Sequence, residues 1–359
     1  MIKEVIRHIK ANKNERDTLV FNAKYIKKLL ATCPSLNVLT EEQKKQVQEY
    51  YRRWYGKDIP DLRWHEYFYT RTGVFSEKYI PNYIIADLHQ HLYDVHLTTA
   101  YDDKNLYYTL FPDIVQPLAY INCINGYCYH NGKPISKVDS IEICNNIGEV
   151  IIKPSYCSCS GNGVRKLLVK DGRDIKTNKK ISDIIEDYGK NFVIQEVIKQ
   201  HSSLAKLCPT ALNTIRILTY RREQEVVVIY ALLRIGKKGA EIDNTTAGGI
   251  VCKIEDNGCL GKYAYMPYPT EPLTQNEEGI TFEGYEIPHY KLLIETAKKL
   301  HLRMPHFDMI GWDLTINDKG DVVFIEMNAP FGYVLHQIAG GPGFGKYTEE
   351  IFERYLKNR

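Results

Sequence analysis

The pattern of apolar and polar positions changes character at about residue 100. Before it, Lys24–Leu30 and Glu41–Tyr55 carry apolar residues at helical spacing, and Thr40 followed by Glu42 and Gln43 is typical of a helix N-cap. After it, short runs rich in β-branched residues alternate with Gly, Asn and Pro, which predicts strands joined by turns. The predicted strands are Ala119–Ile124, Glu149–Lys153, Val164–Val169, Phe192–Ile198, Thr214–Tyr220, Val226–Ile235 and Ile250–Ile254.

The last quarter of the chain mixes helices with one clear hairpin. Pro288–Leu302 and Tyr347–Leu356 have helical spacing, and Met309–Asn328 predicts two strands around a tight turn. Strands outnumber helices after residue 110, which favours an α+β fold over a regular series of βαβ units. A chain of 359 residues exceeds the usual size of one core. We therefore expect a mainly helical region at 1–100, a lobe at 101–200 and a C-terminal lobe at 201–359.

Composition excludes several classes of partner. The net charge is only +3 and basic and acidic residues are mixed along the chain, so we expect no nucleic-acid ligand. No stretch approaches 18 apolar residues, so no membrane span is predicted. The start of the chain is polar, and the nine cysteines are an odd number. Both features favour reduced thiols and a cytoplasmic location.

The predicted hairpin brings polar side chains together. Asn317 to Gly320 form the turn signal, and pairing these two residues places Asp313 opposite Phe324, with Glu326 as the diagonal neighbour. Alternation then gives one wholly apolar face, which we expect in the core. The other face is predicted to carry Gly311, Asp313, Thr315, Phe324, Glu326 and Asn328.

Three residues of that second face form a candidate metal site. Asp313, Glu326 and Asn328 offer only oxygen ligands, which suit Mg²⁺. Two carboxylates so close repel each other unless a cation lies between them. The alternative is an exposed polar face of an antiparallel sheet. The Gly-rich segment Ala339–Gly345 that follows favours the metal site, because such backbone allows a substrate to approach closely.

A second candidate site lies between the strands ending at Lys153 and beginning at Val164. A lysine at a strand end beside a loop of small residues can place a cation on phosphate groups, and the loop N–H groups can cover them. The loop members assigned to this role are Ser160, Gly161 and Gly163. Gly-Lys-Ser/Thr is missing, so this is not a Walker A loop. A plain hairpin turn is the alternative.

Two arginines stand inside apolar strands. Arg216 lies between Ile215 and Ile217, and Arg234 follows Leu233. A buried arginine needs a partner. That partner is either a carboxylate in a structural ion pair or a phosphate or acyl-phosphate oxygen held by the guanidinium.

Several of these segments together resemble one known family. The whole pattern is similar to the sugar-transfer-associated ATP-grasp family over roughly residues 100–345. The matching stretches are Leu212–Ile217, Leu233–Gly236, Asp243-Asn244 with Ala247–Ile250, and Ile310–Asp313 before a strand ending Glu326-Met-Asn328.

The resemblance implies an ATP-grasp fold, in which two α+β lobes grip ATP, here preceded by the helical region. It implies that Lys104 and Lys153 neutralise the phosphates and that Arg216, Arg234 and Asn244 serve the reacting groups. One or two Mg²⁺ ions would be held at the hairpin. The adenine and ribose contacts would come from Gln195, Glu196 and Val197.

The resemblance also implies an activity. Members of this superfamily typically join a carboxylate to an amine through an acyl-phosphate, and the named family is associated with surface-polysaccharide or glycoconjugate synthesis. The expected partners are therefore small or sugar-linked carboxylates and amines, and a homodimer is possible for such an enzyme. Two alternatives remain open, a kinase that does not ligate and a non-catalytic nucleotide-binding partner of a glycan-assembly complex.

Two further clusters carry other interpretations. His89, His91 and His96 lack an acidic or thiol partner at firm spacing, so a metal site is not expected there. The aromatic tract from Trp54 to Tyr69 could form a sugar or lipid-headgroup surface. Packing as a core between helices is the favoured interpretation.

Overall fold

The structure is a computed structural model that describes residues 17–93, 95–156, 162–240, 243 and 248–357. Residues 17–30 form helix α1. The helices that follow are α2 (Glu41–Trp54), α3 (Arg63–Thr72), α4 (Asn82–His89), α5 (Val95–Tyr101), α6 (Tyr107–Leu110), α7 (Lys137–Ile147), α8 (Ile181–Tyr188), α9 (Ser202–Leu207), α10 (Tyr290–Leu302), α11 (Val334–Gly340) and α12 (Thr348–Phe352). The strands are β1 (Ala119–Ile124), β2 (Tyr127–His130), β3 (Lys133–Ile135), β4 (Glu149–Pro154), β5 (Arg165–Lys170), β6 (Arg173–Asp174), β7 (Phe192–Gln195), β8 (Thr214–Arg222), β9 (Glu225–Ile235), β10 (Ile250–Ile254), β11 (Leu260–Tyr265), β12 (Met309–Ile316) and β13 (Val322–Asn328).

The chain divides into two compact units. The first contains the described residues before 94, Tyr265–Leu273 and the described residues from Gly332 onward. The second contains the described residues within Val95–Ala264 and Thr274–Phe331, and both sheets lie in it except for the last residue of β11. None of the described helices is long and apolar enough to cross a membrane.

The first unit is helical and has an aromatic core. Helix α2 begins at the predicted N-cap, where the backbone N–H of Gln43 donates to the Thr40 hydroxyl at 3.2 Å. Tyr55, Trp64, Tyr67 and Phe68 are buried, which confirms the core interpretation for these four residues of the aromatic tract, whereas Trp54 and Tyr69 are half-buried. Thr40 therefore begins a helix whose buried face supports this aromatic packing.

The first sheet has seven antiparallel strands in the order β3-β2-β1-β7-β4-β5-β6. Helices α7 and α8 cover one face. Their apolar side chains pack on strand residues such as Ile152 and Ile194. Strands β1, β4 and β5 match their predicted bounds within one residue. Strand β7 ends at Gln195, three residues before the predicted end at Ile198.

The second sheet has six antiparallel strands in the order β11-β10-β9-β8-β12-β13, with helix α10 packed on it. Beneath the sheet, the indole N–H of Trp312 donates to the Thr219 hydroxyl at 2.8 Å, and that hydroxyl lies 2.6 Å from Nδ1 of His301. All eight residues of β12 are buried. The alternative of an exposed polar face therefore does not describe this strand.

The hairpin register differs from the predicted one. Asp313 pairs directly with Glu326, and the next pair is Leu314 with Phe324, so a bulge at Ile325 interrupts the ladder. The predicted pairing of Asp313 with Phe324 was wrong. The turn is one residue longer than predicted, and the bulge adds a second residue in the same direction, so Asp313 pairs with Glu326, two residues beyond Phe324. As a result Phe324 lies on the core face, with its ring centroid 5.9 Å from that of Trp312.

Candidate functional site

The second unit contains a cavity of about 380 Å³ between its two sheets. This volume lies in the range of small-ligand pockets. Eight of the residues selected from the sequence line it, and they come from both sheets and from the segments beside them. They are Lys104, Lys153, Gln195, Glu196, Val197, Arg234, Asp313 and Glu326.

One wall of the cavity is a face of strand β4. Glu149, Ile151 and Lys153 alternate along the strand and line the cavity. Ile151 pairs with Lys166 on β5 and with Gln195 on β7. The apolar centre of this wall therefore lies between Lys153 at one end and an ion pair at the other, where Lys166 Nζ lies 2.6 Å from Glu149 Oε1.

Gly163 closes the segment that follows β4. Its φ of +77° is a conformation that favours glycine, and a Cβ there would lie 2.9 Å from Cγ of Pro154. The Tyr188 hydroxyl donates to its carbonyl oxygen at 2.6 Å. Another residue would be strained here, so this position requires glycine. Ser160 and Gly161, also assigned to phosphate binding, lie outside the described residues.

The residues after β7 form a second part of the wall. Glu196 exchanges two hydrogen bonds with Leu118, since its N–H donates to the Leu118 carbonyl at 2.9 Å and its carboxylate accepts from the Leu118 N–H at 2.8 Å. The Glu196 carboxylate thereby fixes the segment to the chain before β1. Gln195 and Val197 line the cavity beside it.

The most buried charge in the cavity belongs to Asp313, whose side chain is 2% exposed. Arg216 is its register partner on β8 and donates from Nε to Oδ1 and, at 2.9 Å, from Nη2 to Oδ2. Arg234 Nη1 donates to the same Oδ2 at 3.2 Å. Burial opposes ionisation of Asp313, but the two guanidinium groups outweigh it and lower its pKa to about 2.

Arg234 joins Asp313 to a second buried carboxylate. Its Nη2 lies 3.3 Å from Oδ1 of Asp243. The other oxygen of Asp243 accepts from the backbone N–H of Thr214 at 3.0 Å and from the Thr214 hydroxyl. Burial raises the pKa of Asp243, although Arg234 and Thr214 act in the opposite direction. Charges thus alternate from Asp243 through Arg234 and Asp313 to Arg216.

Glu326 carries the second carboxylate of the hairpin. Lys104 Nζ lies 3.5 Å from its Oε2. Lys153 is also near, and burial first and Lys104 second lower its pKa to about 8, while Glu326 acts in the opposite direction. This end of the cavity therefore combines the cationic side chains of Lys104, Lys153 and Arg234 with the carboxylates of Asp243, Asp313 and Glu326, and Arg216 lies beside Asp313. Cationic side chains placed together in this way can neutralise the oxygens of a multiply charged anion such as a triphosphate.

The donor set at the hairpin fits Mg²⁺ in its chemistry. Asp313 and Glu326 are direct cross-strand partners, and Asn328 donates from Nδ2 to Asp313 Oδ2 at 3.4 Å, so the three side chains meet at one point. For its carbonyl oxygen to serve as a ligand, the Asn328 amide would have to turn. Within the described part of the chain, no group of three or more His, Cys, Asp or Glu side chains could hold a metal ion. Asp313, Glu326 and Asn328 do not form such a group, because they comprise two carboxylates and one amide.

Two residues were not among the predicted site residues, Asp243 in the chain of alternating charges and Thr214, which donates to it. Thr214 precedes Arg216 by two positions and so shares its face of β8, and it is the register partner of Arg234. Strand periodicity alone could therefore have identified Thr214. In the sequence, Asp243 stood out only as part of a stretch that carries the family resemblance, and its contact with Arg234 depends on tertiary packing. Asn244, the predicted substrate-orienting residue, lies outside the described residues.

A comparison with protein families gives one match. Residues 84–353 match the family described as sugar-transfer associated ATP-grasp. The chain belongs to this family. The resemblance stated from the sequence is thereby confirmed, and the match begins earlier than the expected residue 100. The α+β ATP-grasp fold with a helical N-terminal region, predicted from the sequence, is confirmed as well.

Comparison with solved structures finds ATP-grasp enzymes among the similar chains. The ATP-grasp ligase PsnB complexed with a minimal precursor has a TM-score of 0.40 and 14% identity, covering 73% of this chain and 63% of that one. D-alanyl-alanine synthetase A from Vibrio cholerae has a TM-score of 0.43 and 15% identity, covering 72% and 66%. D-cycloserine synthetase DcsG has a TM-score of 0.42 and 12% identity, covering 75% and 73%. The chain thus spans just under two thirds of the length of the first two. No curated protein matches the chain.

Proposed function

We propose that the protein is an ATP-dependent ligase that joins a carboxylate to an amine through an acyl-phosphate. The observation that carries this proposal is the meeting of Asp313 and Glu326 with Lys104, Lys153 and Arg234 in one cavity. Membership of the ATP-grasp family supports ATP as the nucleotide. The cavity volume of about 380 Å³ also suits a nucleotide.

The phosphate groups of ATP would lie at the charged end of the cavity. Lys153 and Lys104 would neutralise their oxygens, and Gly163 would end the loop that covers them. Asp313, Glu326 and Asn328 would hold one or two Mg²⁺ ions, which supply charge neutralisation and orientation of the phosphates. The apolar side chain of Ile151 would face the base or ribose.

The chemistry then consists of two substitutions. A carboxylate oxygen of the first substrate attacks the terminal phosphorus, its bond to ADP breaks, and an acyl-phosphate forms. The amine next attacks the acyl carbon, the carbon–oxygen bond to phosphate breaks, and the nitrogen loses a proton. Arg216 and Arg234 would stabilise the charge that develops on the phosphoryl and acyl oxygens. Positioning and electrostatics would account for most of the rate enhancement.

The family description associates these proteins with sugar transfer. We infer that one substrate, the carboxylate or the amine, is linked to a sugar, as in surface polysaccharides or glycoconjugates. This assignment rests on association and is therefore to be tested separately from the reaction type.

Trapping of the acyl-phosphate tests the reaction. The purified protein is incubated with ATP, Mg²⁺ and a panel of amino-acid and uronic-acid carboxylates, and hydroxylamine is added in place of the amine. A hydroxamate whose formation requires both ATP and carboxylate would support the ligase. ADP release with a phosphorylated product that hydroxylamine does not capture would identify a kinase instead. No ADP with any acceptor would favour the non-catalytic partner.

A further inference from the structure

One oxygen of Asp313 is crowded with hydrogen-bond donors. Its Oδ2 accepts from Arg216 Nη2 at 2.9 Å, from Arg234 Nη1 at 3.2 Å and from Asn328 Nδ2 at 3.4 Å. A carboxylate oxygen has two lone pairs, so three donors already exceed its capacity for strong bonds. Once the Asn328 amide turns its carbonyl oxygen towards a metal, the two arginines still occupy both lone pairs, so a cation that binds to this oxygen must displace one of them.

Of the two arginines, Arg234 is held less firmly. Arg216 donates to both oxygens of Asp313, from Nε to Oδ1 and from Nη2 to Oδ2, and its side chain is 9% exposed. Arg234 uses one nitrogen on Asp313, and its side chain is 16% exposed. Because Arg234 also contacts Asp243 at 3.3 Å, it can leave Asp313 and keep a carboxylate partner. Among the described residues Arg216 forms an ion pair with Asp313 alone, and Glu326 adds only a weaker attraction. Its departure from Asp313 would therefore leave a buried charge without a direct partner.

We propose that Arg234 is the displaceable counter-ion of Asp313, which exchanges it for a divalent cation while staying anchored to Asp243. This inference rests on the proposed function, since it concerns the same metal site. Asp313 is thereby kept ionised and neutralised before the cation arrives. The same exchange frees Nη1 of Arg234 to donate to an anion that enters with the cation.

Asp243 gains a defined role from this exchange. We assign it as a positioning residue, because its carboxylate is held by Thr214 and contacts Arg234. Its second oxygen is fixed by Thr214 through a backbone N–H and a hydroxyl, which leaves Oδ1 for the guanidinium. The carboxylate can therefore hold Arg234 in place whether or not Asp313 is engaged.

The test measures Mn²⁺ binding without nucleotide, by following the signal of free Mn²⁺ in electron paramagnetic resonance. Direct competition predicts that Arg234→Met binds Mn²⁺ about tenfold or more tighter than the wild type. Lys153→Met is the control, because it also removes one cation near Glu326 but none that contacts Asp313. We expect about a twofold to threefold effect from that general change of charge.

A second variant guards against loss of folding. Arg234→Met leaves Asp243 buried without its partner, whereas the double variant Arg234→Met with Asp243→Asn removes both charges together. We expect the double variant to fold and to show the same gain in Mn²⁺ affinity. Thermal unfolding and circular dichroism establish that each variant is folded before titration.

The outcomes separate this inference from the proposed function. If the wild type binds Mn²⁺ with ATP, yet the Arg234 variants gain no more affinity than Lys153→Met, the exchange is refuted while the metal site stands. If the wild type binds no Mn²⁺ even with ATP, both the metal site and the exchange are refuted. A gain confined to the Arg234 variants supports the exchange.

Discussion

The charge on Lys153 limits the pH range in which the cavity can hold a triphosphate. The side chain is 6% exposed, and burial, aided by Lys104, lowers its pKa to about 8. About nine tenths of the protein would carry the charge at pH 7 and about one tenth at pH 9. If the charged form is the one that binds, Mg-ATP affinity should fall about tenfold over this interval, which is about 1.4 kcal/mol of binding free energy.

Calorimetric titration with Mg-ATP at pH 7, 8 and 9, at constant ionic strength, measures this fall directly. Lys153→Arg is the matched control, because a guanidinium stays charged throughout and should flatten the profile. The reasoning is refuted if wild-type affinity stays constant to pH 9. It is equally refuted if the arginine variant loses affinity in parallel with the wild type.

The lowered pKa of Lys153 also makes folding stability depend on pH, and here a higher pH is favourable. Because burial lowers the folded-state pKa to about 8, below the ordinary value for lysine, the unfolded chain binds more protons above pH 8. Stability due to Lys153 therefore increases as the pH rises from 8 towards the ordinary lysine range. Urea unfolding should accordingly show Lys153→Met as more stable than wild type at pH 7, with a smaller difference at pH 10.

Three other substitutions test the surroundings of the site. Arg216→Met should destabilise the fold by about 3–5 kcal/mol in urea unfolding, because Asp313 loses its main counter-ion; a change below about 1 kcal/mol would contradict the pairing. Gly311→Ala places a Cβ 3.3 Å from Cδ of Arg216 and should therefore weaken Mg-ATP binding in calorimetry. Gly332→Ala is the control, because its Cβ meets open space and should leave the Mg-ATP affinity unchanged. Thr40→Ala should cost about 1 kcal/mol by loss of the N-cap, and an unchanged melting temperature would argue against the capping box.

The sequence predicted the bounds of strands well where a run of β-branched residues stood between turn residues. Strands β1 and β10 have the predicted bounds, and both strands of the hairpin lie within Met309–Asn328. These bounds were predictable because Gly, Asn and Pro mark the ends of the runs of β-branched residues. Strand β7 was predicted too long, because the apolar residues Val197 and Ile198 line the cavity instead of extending the ladder.

The site was harder to predict because its contacts join distant strands. Sequence spacing brought Asp313, Glu326 and Asn328 together, but the bulge at Ile325 changed the pairing from diagonal to direct. The longer turn and the bulge each shifted the register by one residue, and neither was visible in the sequence pattern. The partners of Arg234 could not be read from its neighbours in sequence. Its role depends on Asp243 and Asp313, which approach it only through tertiary packing.

The most direct test of the account is calorimetric titration of ATP, with and without Mg²⁺, into the wild type and Glu326→Gln. The substitution keeps the size of the side chain and removes one carboxylate of the hairpin. We predict that the wild type binds ATP tightly only with Mg²⁺ and that the variant loses most of that metal-dependent affinity. The central claim would be contradicted if the wild type did not bind ATP in the presence of Mg²⁺. It would also be contradicted if the variant bound ATP as tightly as the wild type.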